Sequence, residues 1–295
     1  MEGKNAIVTG ASHGIGVYIA RALAARGTNL LLVARSEPEL VRVAMELRGH
    51  DTKVAIAAID LAGRRAAEDV VAAAVAELGT VDVVVNNAAV ELQRRFHTLD
   101  PDEIETVLRV DLITPIELSR LLLPRMLDRG YGRIVNISSI AGRNGFPFTE
   151  AYAASKDGLI AFGRVLRNDY QRNGVSASTI VLGAVKETGV GQRTLDETGL
   201  TANSAFMVGP ERVAKAVVRA IEKDKAEIVV MRGPGRFMKA LMDLFPGFGP
   251  AMNRVSGAEE FMTIVADHRE AAHNVARGRA SAVAVDDLRA HYSTD

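Results

Sequence analysis

The chain has 295 residues, enough for one large α/β domain plus an extension. Hydrophobic residues make up 48% of it and charged residues 24%, so a sizeable core is available and global disorder is excluded. The 36 Lys and Arg balance the 36 Asp and Glu without any dense basic run interleaved with aromatics, so nucleic acid is not an expected partner; the absence of cysteine removes disulfides, thiolate catalysis and Cys-based zinc sites.

In chain order, the first strand-like run is Asn5 to Thr9, so close to Met1 that no charged region followed by an apolar one fits before it. No apolar run approaches the length of a membrane span, and the expected location is cytoplasmic. Further strands are predicted at 29–34, 53–58, 81–86, 132–138, 175–181 and 226–231. Most are rich in Val, Ile and Leu with little polar alternation, as in strands covered on both faces. Helical patterns lie between them at 14–26, 36–48, 63–78, 101–128, 150–172 and 210–223. This alternation predicts an α/β fold: a Rossmann-type, doubly wound parallel sheet of about seven strands with helices on both faces. Gly27, Gly49, Gly79, Gly130 and Gly174 each fall just past a helix, where a left-handed cap favours glycine. Residues 1–231 read as one domain and 232–295 as its extension: apolar over 232–250, helical over 257–278, and mobile at the end.

The first strand runs into Thr9-Gly10-Ala11-Ser12-His13-Gly14-Ile15-Gly16, and a helix follows at once. Glycines there let the backbone turn tightly and approach a pyrophosphate, which the free N–H groups of the helix N-terminus then receive. Gly10, Ser12, His13, Gly14, Ile15 and Gly16 are therefore candidate cofactor contacts. The same run also matches the G-x-S-x-G nucleophile elbow of serine hydrolases, a rival reading that requires Ser12 as nucleophile. The loop's own spacing, T-G-x-x-x-G-x-G, resembles that of the short-chain dehydrogenase/reductase family.

Tyr152 and Lys156 share one face of the helix predicted to begin at residue 150, and an ammonium so placed is expected to lower the phenol's pKa. Ser139, thirteen residues before Tyr152, ends the strand at Ser138-Ser139, where α/β sheets place their ligand crevice; alternation turns Ser138 the other way. The resemblance implies that Ser139 orients a substrate oxygen, Tyr152 passes a proton to or from it, and Lys156 holds the ribose and tunes Tyr152. It also implies cofactor contacts at Asn87 and Ala88, within Asn86-Asn87-Ala88-Ala89, and at Asp60, for which a helix-capping role is the alternative. Two departures stand out. Asp111 occupies the family's catalytic Asn position, where a backbone carbonyl also helps hold a relay water. After the sixth strand the chain reads Leu182-Gly183-Ala184-Val185-Lys186-Glu187-Thr188, without the usual proline and with the threonine displaced, so the nicotinamide contact is assigned to Val185.

The loop spacing of the family's epimerases and dehydratases and the wider Tyr–Lys spacing of its enoyl reductases are absent, so the resemblance implies carbonyl reduction or alcohol oxidation. NADP(H) is expected rather than NAD(H). Ala34 stands where NAD-specific relatives carry an acid for the ribose hydroxyl, Arg35 follows with a fork suited to phosphate, and His13 sits in the loop. No metal is expected. Phe146, Pro147 and Phe148 near the crevice, with Phe237, Met238, Leu241, Met242, Leu244, Phe245 and Phe248 in the tail, suggest a lipophilic small-molecule substrate. Packing of the tail on its own core or on another subunit is the preferred alternative for those residues, and contact with a membrane surface a third. A homodimer or homotetramer is implied by the resemblance. A nucleotide-binding sensor or structural subunit that has lost chemistry is the other rival, supported by Asp111 and Leu182.

Overall fold

The computed structural model describes residues 1–186, 188, 194–195, 197–199 and 207–278. The expectation for the end of the tail, 279–295, lies outside the described residues, as does Glu187. Seven parallel strands form one sheet: β1 (Asn5–Thr9), β2 (Asn29–Ala34), β3 (Val54–Ala58), β4 (Val83–Asn86), β5 (Gly132–Ser139), β6 (Val175–Leu182) and β7 (Glu227–Val230). Their order is β3-β2-β1-β4-β5-β6-β7, so the chain reverses its direction of winding between β1 and β4. That switch point opens a crevice at the carboxyl ends of the strands, where Val8 pairs with Val85 and the chain continues into Thr9-Gly10 on one side and Asn86-Asn87 on the other.

Each face of the sheet carries its own core. On one, α1 (Ile15–Ala24), α2 (Glu37–Glu46) and α8 (Pro210–Lys223) bury Ile19, Leu23, Leu40 and Val217 against Val8, Leu30 and Leu32. On the other, α3 (Ala66–Leu78), α5 (Thr114–Asp128) and α7 (Glu150–Tyr170) bury Val70, Leu118, Met126 and Leu166 against Ile7, Val33 and Ile134. Consecutive strand residues thus serve opposite cores, which is why these strands lack polar alternation. Of the five proposed glycine caps, Gly27, Gly79, Gly130 and Gly174 have positive φ, whereas Gly49 does not.

The single helix expected over 101–128 is interrupted. α4 (Pro101–Leu108) starts from a capping box between Asp100 and Glu103, and a π-helical turn, Arg109–Ile113, separates it from α5. Pro115 supplies a physical reason. It has no N–H to donate to the carbonyl of Asp111, so regular α-helical bonding fails there.

The described part of the extension is helical throughout: α9 (Gly235–Leu244), α10 (Phe248–Val255) and α11 (Ala258–Ala276). No described helix is long and apolar enough to cross a membrane. α9 and α10 dock on the short α6 (Ala141–Asn144), where Asn144 Nδ2 donates to Asn253 Oδ1 at 2.8 Å and Met242 packs with Ile140, Ile160 and Val181. α11 is bound by charge to residues that follow β4. Arg94, with 6% of its side chain exposed, forks onto Glu103 at 2.9 and 3.0 Å and lies 3.5 Å from Glu270. Arg95 meets Asp267 at 2.6 Å nearby.

Removing one side of a buried charge cluster strands the other. Because Glu103 and Glu270 keep partial access to water, Arg94→Ala is expected to cost on the order of 2–3 kcal/mol in urea denaturation. Arg95→Ala, at a more exposed pair, should cost less than about 1 kcal/mol. Equal losses would show that α11 is not held through Arg94.

Candidate active site

A cavity of about 620 Å³ runs along the carboxyl ends of the strands. Gly10, Ser12, His13, Gly14 and Ile15 line one end; Ala34, Arg35, Ser36 and Asp60 flank it; Asn87, Ala88 and Val185 border its middle. Ser139, Tyr152 and Lys156 stand beyond, beneath Ala258, Phe261 and Met262 of α11. The cavity therefore joins the glycine loop to the Ser–Tyr–Lys set along one continuous cleft.

The loop fits a dinucleotide. Gly10 has φ +66°, and a Cβ there would sit 2.8 Å from Ala88 Cα. A Cβ on Gly16 would lie 2.1 Å from the Gly10 carbonyl oxygen. Gly16 is buried off the cavity wall, so its part is to let the turn close beneath the site rather than to touch a ligand. Asn87 fixes the turn from the other side: its Nδ2 donates to the Thr9 and Gly10 carbonyls at 2.9 and 3.2 Å. Thr9 Oγ1 in turn accepts from the N–H groups of Asn87 and Ala88 at 3.0 and 3.1 Å. The first turn of α1 carries no acid and has no side-chain cap, an arrangement suited to receiving phosphate. Asp60 lines the cavity, and its Oδ1 accepts from Ala62 N at 3.1 Å within the turn after β3; the next helix begins only at Ala66, so Asp60 does not cap it.

At the other end, Ser139 Oγ accepts from Ala141 N at 3.1 Å, which leaves its own O–H to donate to the Tyr152 phenol. Ser138 points away from this pair and donates to the Lys156 carbonyl at 2.7 Å, as strand alternation predicts. Lys156 Nζ lies 3.1 Å from Asp111 Oδ2, 3.4 Å from the Ile137 carbonyl and 5.3 Å from the Tyr152 ring centre. Asp111 is fully buried off the cavity wall, and its Oδ1 accepts from Val90 N at 2.7 Å. Burial raises the Asp111 carboxyl, with Lys156 and the Val90 N–H opposing that shift.

These contacts correct one expectation. Lys156 was expected to lower the Tyr152 pKa; instead the phenol is held well above its ordinary value, by burial first and then by the carboxyls of Glu91 and Asp111, against the Ser139 hydrogen bond. The ammonium already faces a carboxylate at 3.1 Å, and that carboxylate offsets its pull on the phenol.

Two further expectations change. Of the aromatic residues between Ser139 and Tyr152, Phe146 reaches the cavity, while Phe148 adopts φ 62° and lies under Arg95. None of the seven apolar tail residues from Phe237 to Phe248 lines it: Met242 and Phe248 pack against α6 and α7, and Phe237, Leu244 and Phe245 are exposed. The cavity roof comes instead from α11. Sequence reasoning also missed Glu91 and Gln93, which line the cavity just past β4. The signal available was position, an acid and an amide within seven residues of the Asn86-Asn87 strand end.

Asp111→Ala should cost about 3–5 kcal/mol in denaturant unfolding, since it leaves a buried ammonium without its counter-ion and the Val90 N–H without an acceptor. Asp111→Asn keeps an acceptor for Val90 and should lose less than half as much. It should also lower the Tyr152 ionisation, read as tyrosinate absorbance against pH with Tyr152→Phe as reference. An unmoved titration would show that Asp111 does not hold the phenol up.

The family model described as short chain dehydrogenase matches residues 4–198. The ketoacyl reductase HetN of Nostoc sp. is 36% identical over 234 residues, spanning 79% of this chain and 80% of its own. A metagenomic short-chain oxidoreductase solved in complex with NADP superposes with a TM-score of 0.66 at 30% identity, covering 78% of this chain and 97% of that one. An alcohol dehydrogenase from Thermococcus sibiricus, solved with 5-hydroxy-NADP, gives a TM-score of 0.68 at 26% identity over 77% and 96%. These likenesses displace the serine hydrolase reading of Ser12, whose hydroxyl lies 2.9 Å from the adjacent His13 ring on the cavity wall. The chain belongs to the short-chain dehydrogenase family, whose members are oxidoreductases acting on alcohol and carbonyl groups.

Proposed function

We propose that this protein is an NADPH-dependent reductase of ketones carried on apolar, acyl-type molecules. The observation that carries this reading is geometric: the Tyr152 phenol and the Ser139 hydroxyl stand in the same cavity as the glycine loop. A phenol keeps its proton at neutral pH, and one set beside the substrate oxygen can give that proton to a carbonyl as it becomes an alcohol. The likeness to HetN, described as a ketoacyl reductase, and to a neighbour solved with NADP supports the choice of substrate class and cofactor.

NADPH supplies the hydride when bound. Gly10, Ser12, Gly14 and Ile15 would hold its pyrophosphate, Asp60 its adenine end, Asn87, Ala88 and Val185 its middle and nicotinamide portion, and Lys156 its ribose. Ala34 leaves the second strand without an acid that would repel a 2′-phosphate. Arg35, Ser36 and His13 line the same end and would bind that phosphate. Ser139 donates a hydrogen bond to the substrate oxygen and fixes it against Tyr152. Tyr152 transfers the phenolic proton to that oxygen. Lys156, retained by Asp111, keeps the ribose and phenol in register. Phe146, Phe261 and Met262 exclude water from the reacting carbon.

Tyr152→Phe should lower kcat by 10²–10⁴-fold, the usual worth of acid–base assistance, with NADPH affinity within about twofold of wild type by fluorescence titration. Retention of more than about a tenth of the wild-type rate would exclude the phenol as proton donor.

Wild type should prefer NADPH over NADH by at least about tenfold in kcat/KM, the scale of a charge-assisted hydrogen bond. Ala34→Asp combined with Arg35→Ala should reverse that order. Equal use of both cofactors by wild type, or an unchanged preference in the double variant, would refute the phosphate site.

A further inference from the structure

Among the described residues two acids line the cavity. Asp60 sits at the loop end, and Glu91 stands at the reaction end, close enough to Tyr152 for its charge to act on the phenol. Val90, Phe146, Phe261 and Met262 add apolar surface to the same cavity. Glu91 hydrogen-bonds the Gln93 side chain and feels Arg269 of α11. The Arg269 guanidinium, however, is committed elsewhere: to Gln93 Oε1 at 2.8 Å, Thr194 Oγ1 at 2.9 Å and Glu197 Oε2 at 3.0 Å. Glu91 is thus steered by its neighbours without being locked into an ion pair by the one arginine that faces it.

We propose that Glu91 recognises the substrate by hydrogen-bonding a second, neutral oxygen, so that the preferred ketones are β-oxo esters or thioesters rather than simple ketones. This rests on the reductase reading above. The reacting carbonyl takes the Ser139–Tyr152 pair, and the acyl oxygen two carbons away takes Glu91. The charges facing Glu91 are Asp111 from the π-turn, Lys156 from α7 and Arg269 from α11, with Glu197 behind Arg269 and the neutral phenol of Tyr152 beside them. The two cations and two anions balance, which favours neither an ammonium nor a free carboxylate as ligand. Burial pushes Glu91 up to about 7; Arg269 and Lys156 oppose this and Asp111 adds to it. Below that value the carboxyl keeps its proton and donates to an acyl oxygen. Above it the carboxylate repels the same lone pairs.

The test compares NADPH-dependent reduction of ethyl acetoacetate with that of methyl butyl ketone. Their intrinsic reactivities differ, but that difference cancels when one ratio of kcat/KM is compared between variants. Glu91→Leu should lower the ratio about five- to tenfold, mostly through KM, the worth of one buried hydrogen bond. Glu91→Gln should keep the ratio, because an amide still donates. In wild type the ratio should fall as pH rises from about 6 to about 8, as Glu91 ionises, and in Glu91→Gln it should stay level. An unchanged ratio in Glu91→Leu, or the wild-type pH dependence persisting in Glu91→Gln, overturns the proposal. If wild type reduces neither ketone, the reductase reading fails by itself. Calorimetric titration with ethyl β-hydroxybutyrate then decides on Glu91: weaker binding to Glu91→Leu than to wild type supports the contact, and equal binding overturns it.

Discussion

An ammonium and a carboxylate, 3% and 0% exposed, face each other at 3.1 Å behind the cavity: Lys156 from α7 and Asp111 from the π-turn. Two charges so far from water are tolerated only when each has further partners. Asp111 takes the Val90 N–H, and Lys156 reaches the Ile137 carbonyl while its own backbone carbonyl receives Ser138. The pair therefore ties together the segment after β4, the end of β5, the π-turn and the start of α7. Those are the segments that present Glu91, Ser139 and Tyr152 to one space. The π-turn belongs to the same arrangement, because Pro115 cannot bond the Asp111 carbonyl and the helix re-forms one turn later around the buried side chain.

The same pair sets the chemistry. An isolated Lys156 would favour the phenolate of Tyr152; answered by Asp111, with Glu91 adding a second acid, it leaves the phenol protonated. The cavity then runs from the glycine loop to the Ser139, Tyr152 and Lys156 set, where Ala258, Phe261 and Met262 of α11 complete its lining. The roof depends on Arg94, Arg95 and Arg269, which secure α11 to the segment after β4 and to Thr194 and Glu197. One short stretch, Val90 to Arg95, thus both lines the cavity, through Val90, Glu91 and Gln93, and docks the extension, through Arg94 and Arg95.

Much of this was legible in the sequence because it is local. Strands covered on both faces read as apolar runs, so the run at 30–34 announces its strand; Val175–Leu182 is as fully buried yet carries Ser176, Ser178 and Thr179. Gly10 and Gly16 mark the turn because any Cβ there would collide with backbone, and the spacing of Ser139, Tyr152 and Lys156 follows from one strand end and one helix face. What escaped the sequence depends on distant parts meeting. Glu91 has meaning only beside Asp111, Lys156, Tyr152 and Arg269, the last lying far along the chain. The apolar tail residues are conspicuous in composition, yet Met242 and Phe248 are used on α6 and α7, and the roof falls to Phe261 and Met262 in a helix with many charges. The raised phenol escaped for a related reason: the Tyr–Lys spacing is visible in sequence, whereas burial and the carboxylate that answers the lysine are not.

The central claim is that one cavity brings a nicotinamide and a ketone together so that hydride passes to carbon while Tyr152 protonates oxygen. Isotope transfer tests it most directly. With NADPH carrying deuterium at the transferable position of the nicotinamide and ethyl acetoacetate as substrate, mass spectrometry should find a single deuterium on the carbinol carbon of the product. The label should transfer from one face of the nicotinamide only. Ester cleavage, or reduced product without the label, would contradict it.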